Sequence, residues 1–175
     1  MAMTPRIRRF ALTAHVASSV GWLGAVTAFL ALAIAGLTSR DAQVAHASYL
    51  AMELTTWFVI VPFCVAALAT GVVSSLGTPW GLFRHYWVLI KLLLTILATL
   101  LLLVHTQPIG YMARVAAERA LSSADVRGVR IQLVFDAGAA LLVLVVNTTL
   151  GIYKPRGLTR YGRRKQYEQR AASKQ

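Results

Sequence analysis

Two ionisable side chains lie on one face of the most apolar segment of this chain. Lys91 falls within the segment WVLIKLLLTILATLLLLV, and His105 follows 14 residues later. Fourteen residues are close to four turns of an α-helix at about 3.6 residues per turn, so the two side chains point roughly the same way. A charge within a membrane span is costly, and such residues generally handle ions, protons or charged ligands. This helix face is therefore the first candidate for a functional site.

Polar residues of the other apolar segments match these two in depth. Helical rise, about 1.5 Å per residue, places His15 and Asn147 at the depth of Lys91, and these three form an inner layer. An outer layer contains Glu53 and Asp136 near His105, with His46 two helical turns beyond Glu53 at its rim.

The outer layer predicts two kinds of chemistry. Histidine with glutamate or aspartate is a ligand set for a divalent transition metal, so His46, Glu53, His105 and Asp136 are candidate metal ligands. The same groups could instead relay protons. We expect Glu53 and Asp136 to face each other across the bundle, with His105 nearby.

Two further interpretations of the polar residues stay open. They could serve only to join helices, but an interhelical hydrogen bond contributes about 0.6 kcal/mol, which hardly requires two carboxylates. Haem with two histidine ligands would need two histidines at one depth. His15 with His85, or His46 with His105, meets that condition roughly.

Composition predicts the fold class. The chain has 175 residues, of which 57% are hydrophobic, and the apolar residues come in four blocks, at about 10–37, 49–76, 86–106 and 131–153. A run of about 20 apolar residues crosses a bilayer as one helix. We therefore predict an all-α integral membrane protein, an up-down-up-down four-helix bundle over residues 1–153, followed by a basic tail at 154–175.

Charge predicts the orientation and one partner. Of the Lys and Arg residues outside the spans, 12 lie on the side of the two termini and five on the other side. The positive-inside rule then places both termini in the cytoplasm, at a bacterial cytoplasmic membrane. The tail carries eight Lys and Arg residues against Glu168 alone, which favours contact with anionic lipid over nucleic acid.

Two short patterns carry a resemblance to known families: His15, Trp22 and Gly24 (H-x6-W-x-G) in the first span, and Trp87, Lys91 and His105 (W-x3-K, then a distant His) in the third. The first resembles the opening of the copper-resistance protein D family and of the J-type protoporphyrinogen oxidases of haem synthesis. The second resembles the third span of those oxidases.

The stretch SLGTPWGLFRHYWVLIK resembles an uncharacterised family of small four-span bacterial membrane proteins near those two groups. The resemblance implies haem b associated with His15, Lys91 and His105. It does not extend to a complete oxidase motif, because the Pro/Arg-rich stretch that follows the first-span glycine in the oxidases is absent.

Together these observations favour a small bacterial inner-membrane protein that binds haem b or a transition metal and acts as a redox or metal-handling component with a membrane redox partner. In that hypothesis Lys91 neutralises a propionate or another anion, and His15 or His105 is the ligand. The alternative is a non-redox membrane scaffold, or a proton-coupled transport subunit using Glu53 and Asp136.

The topology can be tested with reporter fusions. Because of the 12-to-5 distribution of Lys and Arg outside the spans, fusions at Gly36 and Gln107 should report an external location, and fusions at Thr78 and Gln175 a cytoplasmic one. A cytoplasmic signal at Gln107 would contradict the topology and both polar layers.

Overall fold

The computed structural model describes residues 3–77, 82–118, 124–155 and 157–172; the fusion sites Thr78 and Gln175 lie outside these ranges. The helices are α1 (Pro5–Thr38), α2 (Ala42–Leu76), α3 (Tyr86–Ala117), α4 (Ala124–Tyr153) and α5 (Arg160–Ala172). The first four are long and apolar enough to cross a membrane. The chain is therefore a multi-pass membrane protein.

The four long helices form a ring in which each packs on the next, and α4 closes the ring against α1. A hydrogen bond from His15 to Ala67 joins the start of α1 to the end of α2. Arg130 joins the start of α4 to the end of α1 through Gly36. Neighbouring helices therefore run antiparallel, and the predicted all-α, up-down-up-down four-helix bundle is confirmed.

The two ends of the bundle differ. We name the end where α1 and α3 begin and α2 and α4 end the basic end, and the opposite end the far end. The largest fully buried side chains include Tyr49, Met52, Met112 and Leu133, all in the far half. Tight packing therefore belongs to the far half.

The helices extend beyond the predicted spans at the far end. α2 begins seven residues earlier than the predicted span, and α3 runs on to Ala117 rather than ending near Thr106. Pro108 lies inside α3, where a proline removes one backbone hydrogen bond. The helix continues because Ile109, Met112 and Ala116 are buried in the core cluster. Hydropathy predicts the membrane-crossing length, and this buried extension lies beyond it.

One turn of α2, Thr56–Ile60, is a π-helix. Pro62 has no N–H to donate, and the Val61 N–H donates to the Thr56 carbonyl, five residues back. A π turn widens the helix by one residue and changes which side chains face inward. Thr56 and Ile60, the first and last residues of this turn, are both buried, at 0% and 3% exposure.

The basic tail contains a helix attached to the segment before α3. The Thr159 N–H donates to the Arg84 carbonyl at 3.0 Å, and the Tyr86 N–H donates to the Gly157 carbonyl at 3.3 Å. The Thr159 hydroxyl accepts from the Gly162 N–H at 3.0 Å and so caps the start of α5. The tail is therefore held at the basic end of the bundle.

Arg130 fastens three helices together at the far end. Its Nε donates to the Tyr49 hydroxyl of α2 at 2.9 Å, and its guanidinium donates to the carbonyls of Gly36 and Leu37 of α1, the latter at 3.2 Å. These carbonyls belong to the last turn of α1, and the carbonyls of a helix's last turn have no N–H partner within the helix. A Cβ on Gly36 would lie 2.7 Å from the Tyr49 ring, so the close approach requires glycine.

Replacing Arg130 with Met should therefore lower the thermal stability of the purified protein in detergent. Hydrogen bonds to a charged group contribute about 1.5–3 kcal/mol each, and the substitution removes all of them. Arg127→Met is the matched control, because Arg127 is exposed on the same helix. Equal stability losses in the two variants would show that Arg130 does not fasten the helices.

Candidate functional site

A cavity of about 720 Å³ lies between the four long helices at the basic end. Its charged lining residues are Arg8 and Arg9 of α1, Lys91 of α3 and Lys154 just after α4. His15 and Asn147 also line it. The structure therefore gathers all three residues of the predicted inner layer at one cavity.

His15 is held in one orientation by α2. Its Nδ1 lies 3.2 Å from the Ala67 carbonyl oxygen and 3.3 Å from the Thr70 hydroxyl. Because a carbonyl oxygen can only accept, Nδ1 carries the hydrogen. Nε2 then has a free lone pair, and it makes no hydrogen bond to any residue that the structure describes. The ring is thus in the tautomer that presents Nε2 as a ligand atom.

Lys91 lies against the backbone of α4. A Cβ on Gly151 would be 2.6 Å from the Lys91 Nζ, so glycine provides the space that the ammonium occupies. Within the described ranges the ammonium has no hydrogen-bond acceptor or carboxylate partner. Lys154 is close enough for the two positive charges to repel each other. This site therefore has a positive charge to offer an anion.

A short hydrogen-bonded series continues from Lys91 along α3. The Thr95 hydroxyl donates to the Lys91 carbonyl at 2.8 Å and accepts from the Asn147 amide at 2.9 Å. Thr99 lies 3.2 Å from the Cys64 Sγ of α2. The Asn147 Oδ1 is buried without a donor among the described residues. Asn147 therefore keeps an acceptor for a ligand or water.

In the outer layer the structure brings His105 and Asp136 together. The His105 Nδ1 donates to the Leu101 carbonyl at 2.7 Å, and its Nε2 lies 2.9 Å from the Asp136 Oδ2. The pair is at ion-pair distance, although no well-aligned hydrogen-bond donor reaches Oδ2 from the part of the chain described. With Nδ1 protonated, one further proton must bridge Nε2 and Oδ2 for the contact to be attractive.

The other two members of the predicted metal set lie elsewhere. The Glu53 carboxylate contacts α3 near Gly110, five residues from His105, and five residues turn a helix by about 140°. Glu53 and Asp136 therefore reach α3 on different sides, and no contact joins them. The His46 Nε2 is buried without a hydrogen-bond partner in the described ranges. Those ranges contain no group of three or more His, Cys, Asp or Glu residues that could hold a metal ion.

The three residues expected to associate with haem b divide between the two ends. His15 and Lys91 line the cavity, whereas His105 is not among the lining residues. Fourteen residues of helix separate Lys91 from His105, a distance of about 21 Å. His85, the remaining histidine, precedes α3, where its ring centroid lies 6.5 Å from that of Trp87. His105 therefore lies outside the site that His15 and Lys91 share.

The sequence interpretation missed several residues of the site. Arg8 and Arg9 belong to the 12 basic residues that predict the topology, and in the structure both also line the cavity. Their position 14 and 13 residues before Trp22, close to four helical turns at about 3.6 residues per turn, is the signal that could have found them. The sequence contains no comparable signal for Gly151, because a glycine in an apolar segment does not indicate which side chain it contacts.

Comparisons with known proteins assign the chain to no family. No protein-family model, curated protein or solved structure matches it. The function must therefore be inferred from the residues and their geometry.

The His105–Asp136 contact can be measured with a double-mutant cycle. His105→Ala and Asp136→Ala should show a coupling free energy of about 0.6–1.7 kcal/mol, the range for interhelical polar pairs in membranes. Glu53→Ala is the control, since Glu53 has no partner within the described ranges, and its effect should add to that of His105→Ala within about 0.5 kcal/mol. Reversible unfolding in mixed micelles provides the free energies. Additivity of His105→Ala and Asp136→Ala would disprove the pair.

Proposed function

We propose that this chain is a small bacterial inner-membrane protein that binds haem b in the cavity at the basic end and acts as a redox component. One observation carries the proposal: a cavity within the spans holds a histidine whose Nε2 is free and a lysine that has no counter-charge among the described residues. The resemblance of the first and third spans to haem-associated families points to the same ligand.

His15 fits the role of an axial ligand. A ligating histidine usually donates its other ring N–H to a carbonyl or carboxylate, which fixes the tautomer and the ring orientation. The hydrogen bond from the His15 Nδ1 to the Ala67 carbonyl provides this arrangement. Bound haem would supply one-electron chemistry, with a potential that depends on the axial ligand and on burial.

Lys91 fits the role of a partner for a propionate. Its ammonium lies within the cavity beside Gly151, and a carboxylate there would offset a charge that is costly inside a span. The cavity of about 720 Å³ is mostly apolar apart from its few cationic and hydroxyl groups. Such a lining suits a flat apolar group with acidic substituents.

Two alternatives have less support from the geometry. A transition-metal ion held by protein side chains alone would need several ligands together, and the described residues do not gather three. A proton-coupled role for Glu53 and Asp136 would be favoured by adjacent carboxylates, yet these two reach α3 on different sides. Haem needs only one or two protein ligands, and so it matches the single histidine of the cavity.

The proposal includes an orientation. The basic end would face the cytoplasm, as the distribution of Lys and Arg predicts. The haem site would then lie in the cytoplasmic half of the bilayer, within reach of a redox partner on that side or in the membrane.

Visible absorption spectroscopy tests the proposal. Protein expressed with a haem supply and purified in mild detergent should show a Soret band that shifts on reduction. His15→Ala should abolish or change the band, since axial ligation sets the electronic state of the iron. Lys91→Met should weaken haem binding while leaving the band shape largely intact, because an ammonium pairs with a propionate and does not ligate iron.

His105→Ala and His85→Ala are the matched controls. Each removes a histidine that does not line the cavity, so both variants should keep the spectrum of the wild type. A protein that purifies colourless under haem-replete conditions, and binds no haem when titrated, would rule out the proposed function. A spectrum lost in His105→Ala but kept in His15→Ala would place the iron at the far end instead.

A further inference from the structure

The cavity at the basic end has an excess of positive charge among its described lining residues. Arg8, Arg9, Lys91 and Lys154 line it, and none of its described lining residues is Asp or Glu. Lys91 and Lys154 are near enough to repel each other. The side chains of Arg8 and Arg9 have no hydrogen-bond or ion-pair partner among the described residues. An anion from outside the chain would therefore relieve this repulsion.

The same cavity has an apolar wall that is exposed at the surface of the bundle. Leu12, Val16 and Val20 line it from α1, and they are 56%, 51% and 63% exposed. They recur every fourth residue, which places them on one face of the helix. Ile152, 72% exposed, lines the cavity from α4. The cavity is therefore open on a side that faces lipid in a membrane.

The cations and the apolar wall of the cavity together indicate which class of ligand it can bind. A small free anion would pair with the cations but leave the apolar wall without contacts, and a neutral hydrocarbon would leave Arg8, Arg9 and Lys91 without an anionic partner. An amphiphile with an anionic head near the basic end and a chain along α1 satisfies both. Arginine and lysine bind phosphate strongly, arginine through two parallel hydrogen bonds.

We infer that, in the haem-free protein, this cavity binds an anionic glycerophospholipid from the leaflet at the basic end. Its phosphate contacts Arg8, Arg9 and the lysines, and one acyl chain lies along Leu12, Val16 and Val20. Basic pockets between membrane helices bind anionic lipid head groups in this way. The inference requires no iron and no histidine ligand, and it locates the lipid in the cavity rather than on the basic tail.

Native mass spectrometry of the full-length, haem-free protein in detergent tests this inference. The probes are phosphatidylglycerol, phosphatidylcholine with the same acyl chains, and glycerol phosphate as the head group alone. Phosphatidylglycerol should bind best. Arg8→Gln/Arg9→Gln should weaken its binding by about 25-fold, at about fivefold for each cation removed near the head group. Lys91→Gln should weaken it by about fivefold and tests the same site without changing the charge of the N-terminal segment.

The matched control is Arg163→Gln/Arg164→Gln, which removes two charges from exposed positions of α5 that are not among the cavity's lining residues. This control should bind phosphatidylglycerol like the wild type. Equal binding of both lipids, an equal loss in the control, or displacement of the lipid by an equal concentration of glycerol phosphate would each overturn the inference. Because haem is absent throughout, a colourless protein would leave this inference standing, and a failure here would leave the haem proposal intact.

Discussion

A lysine ammonium inside an apolar helix needs water, a counter-charge or a route to the membrane surface, and this requirement shapes the basic half of the bundle. Placing a lysine at the centre of a span costs about 2.5–3.5 kcal/mol. Lys91 is the sixth residue of α3, and its Nζ lies beside Gly151, the third residue from the end of α4. The side chain thus extends toward the basic end, as long cationic side chains in spans generally do. The cavity around it provides the remaining solvation.

Two charged side chains of the far half, Arg130 and Asp136, have partners within the bundle. Arg130 donates to the Tyr49 hydroxyl and to two carbonyls at the end of α1, and Asp136 pairs with His105. The largest fully buried side chains are concentrated there as well. The far half is therefore closed and tightly packed, whereas the basic half has a cavity in which the Lys91 ammonium and the His15 Nε2 have no hydrogen-bond partner among the described residues. A ligand adds most free energy where the protein leaves groups unsatisfied, which favours the basic half as the binding site.

The fold was predictable from sequence because its signals are local. Twenty apolar residues and a helical period of polar residues specify a span and its polar stripe without knowledge of the neighbours. His15, Lys91 and Asn147 matched in depth and do meet at one cavity. Glu53 and Asp136 also matched in depth, but depth does not tell which of two neighbouring helices a side chain faces. In a ring of four, the second and fourth helices are diagonal, and α3 separates the two carboxylates.

Glycine has opposite consequences at the two ends. Gly151 makes room for the ammonium at the tip of the flexible Lys91 side chain. A Cβ on residue 151 could therefore be accommodated by moving that ammonium. Gly36 makes room for the ring of Tyr49, which is 1% exposed and hydrogen-bonded to Arg130. A buried ring cannot shift without disturbing the packing of three helices. The same residue type therefore fixes the geometry of the far end and leaves a movable cation at the basic end, and a movable cation can adjust to the acidic group of a bound ligand.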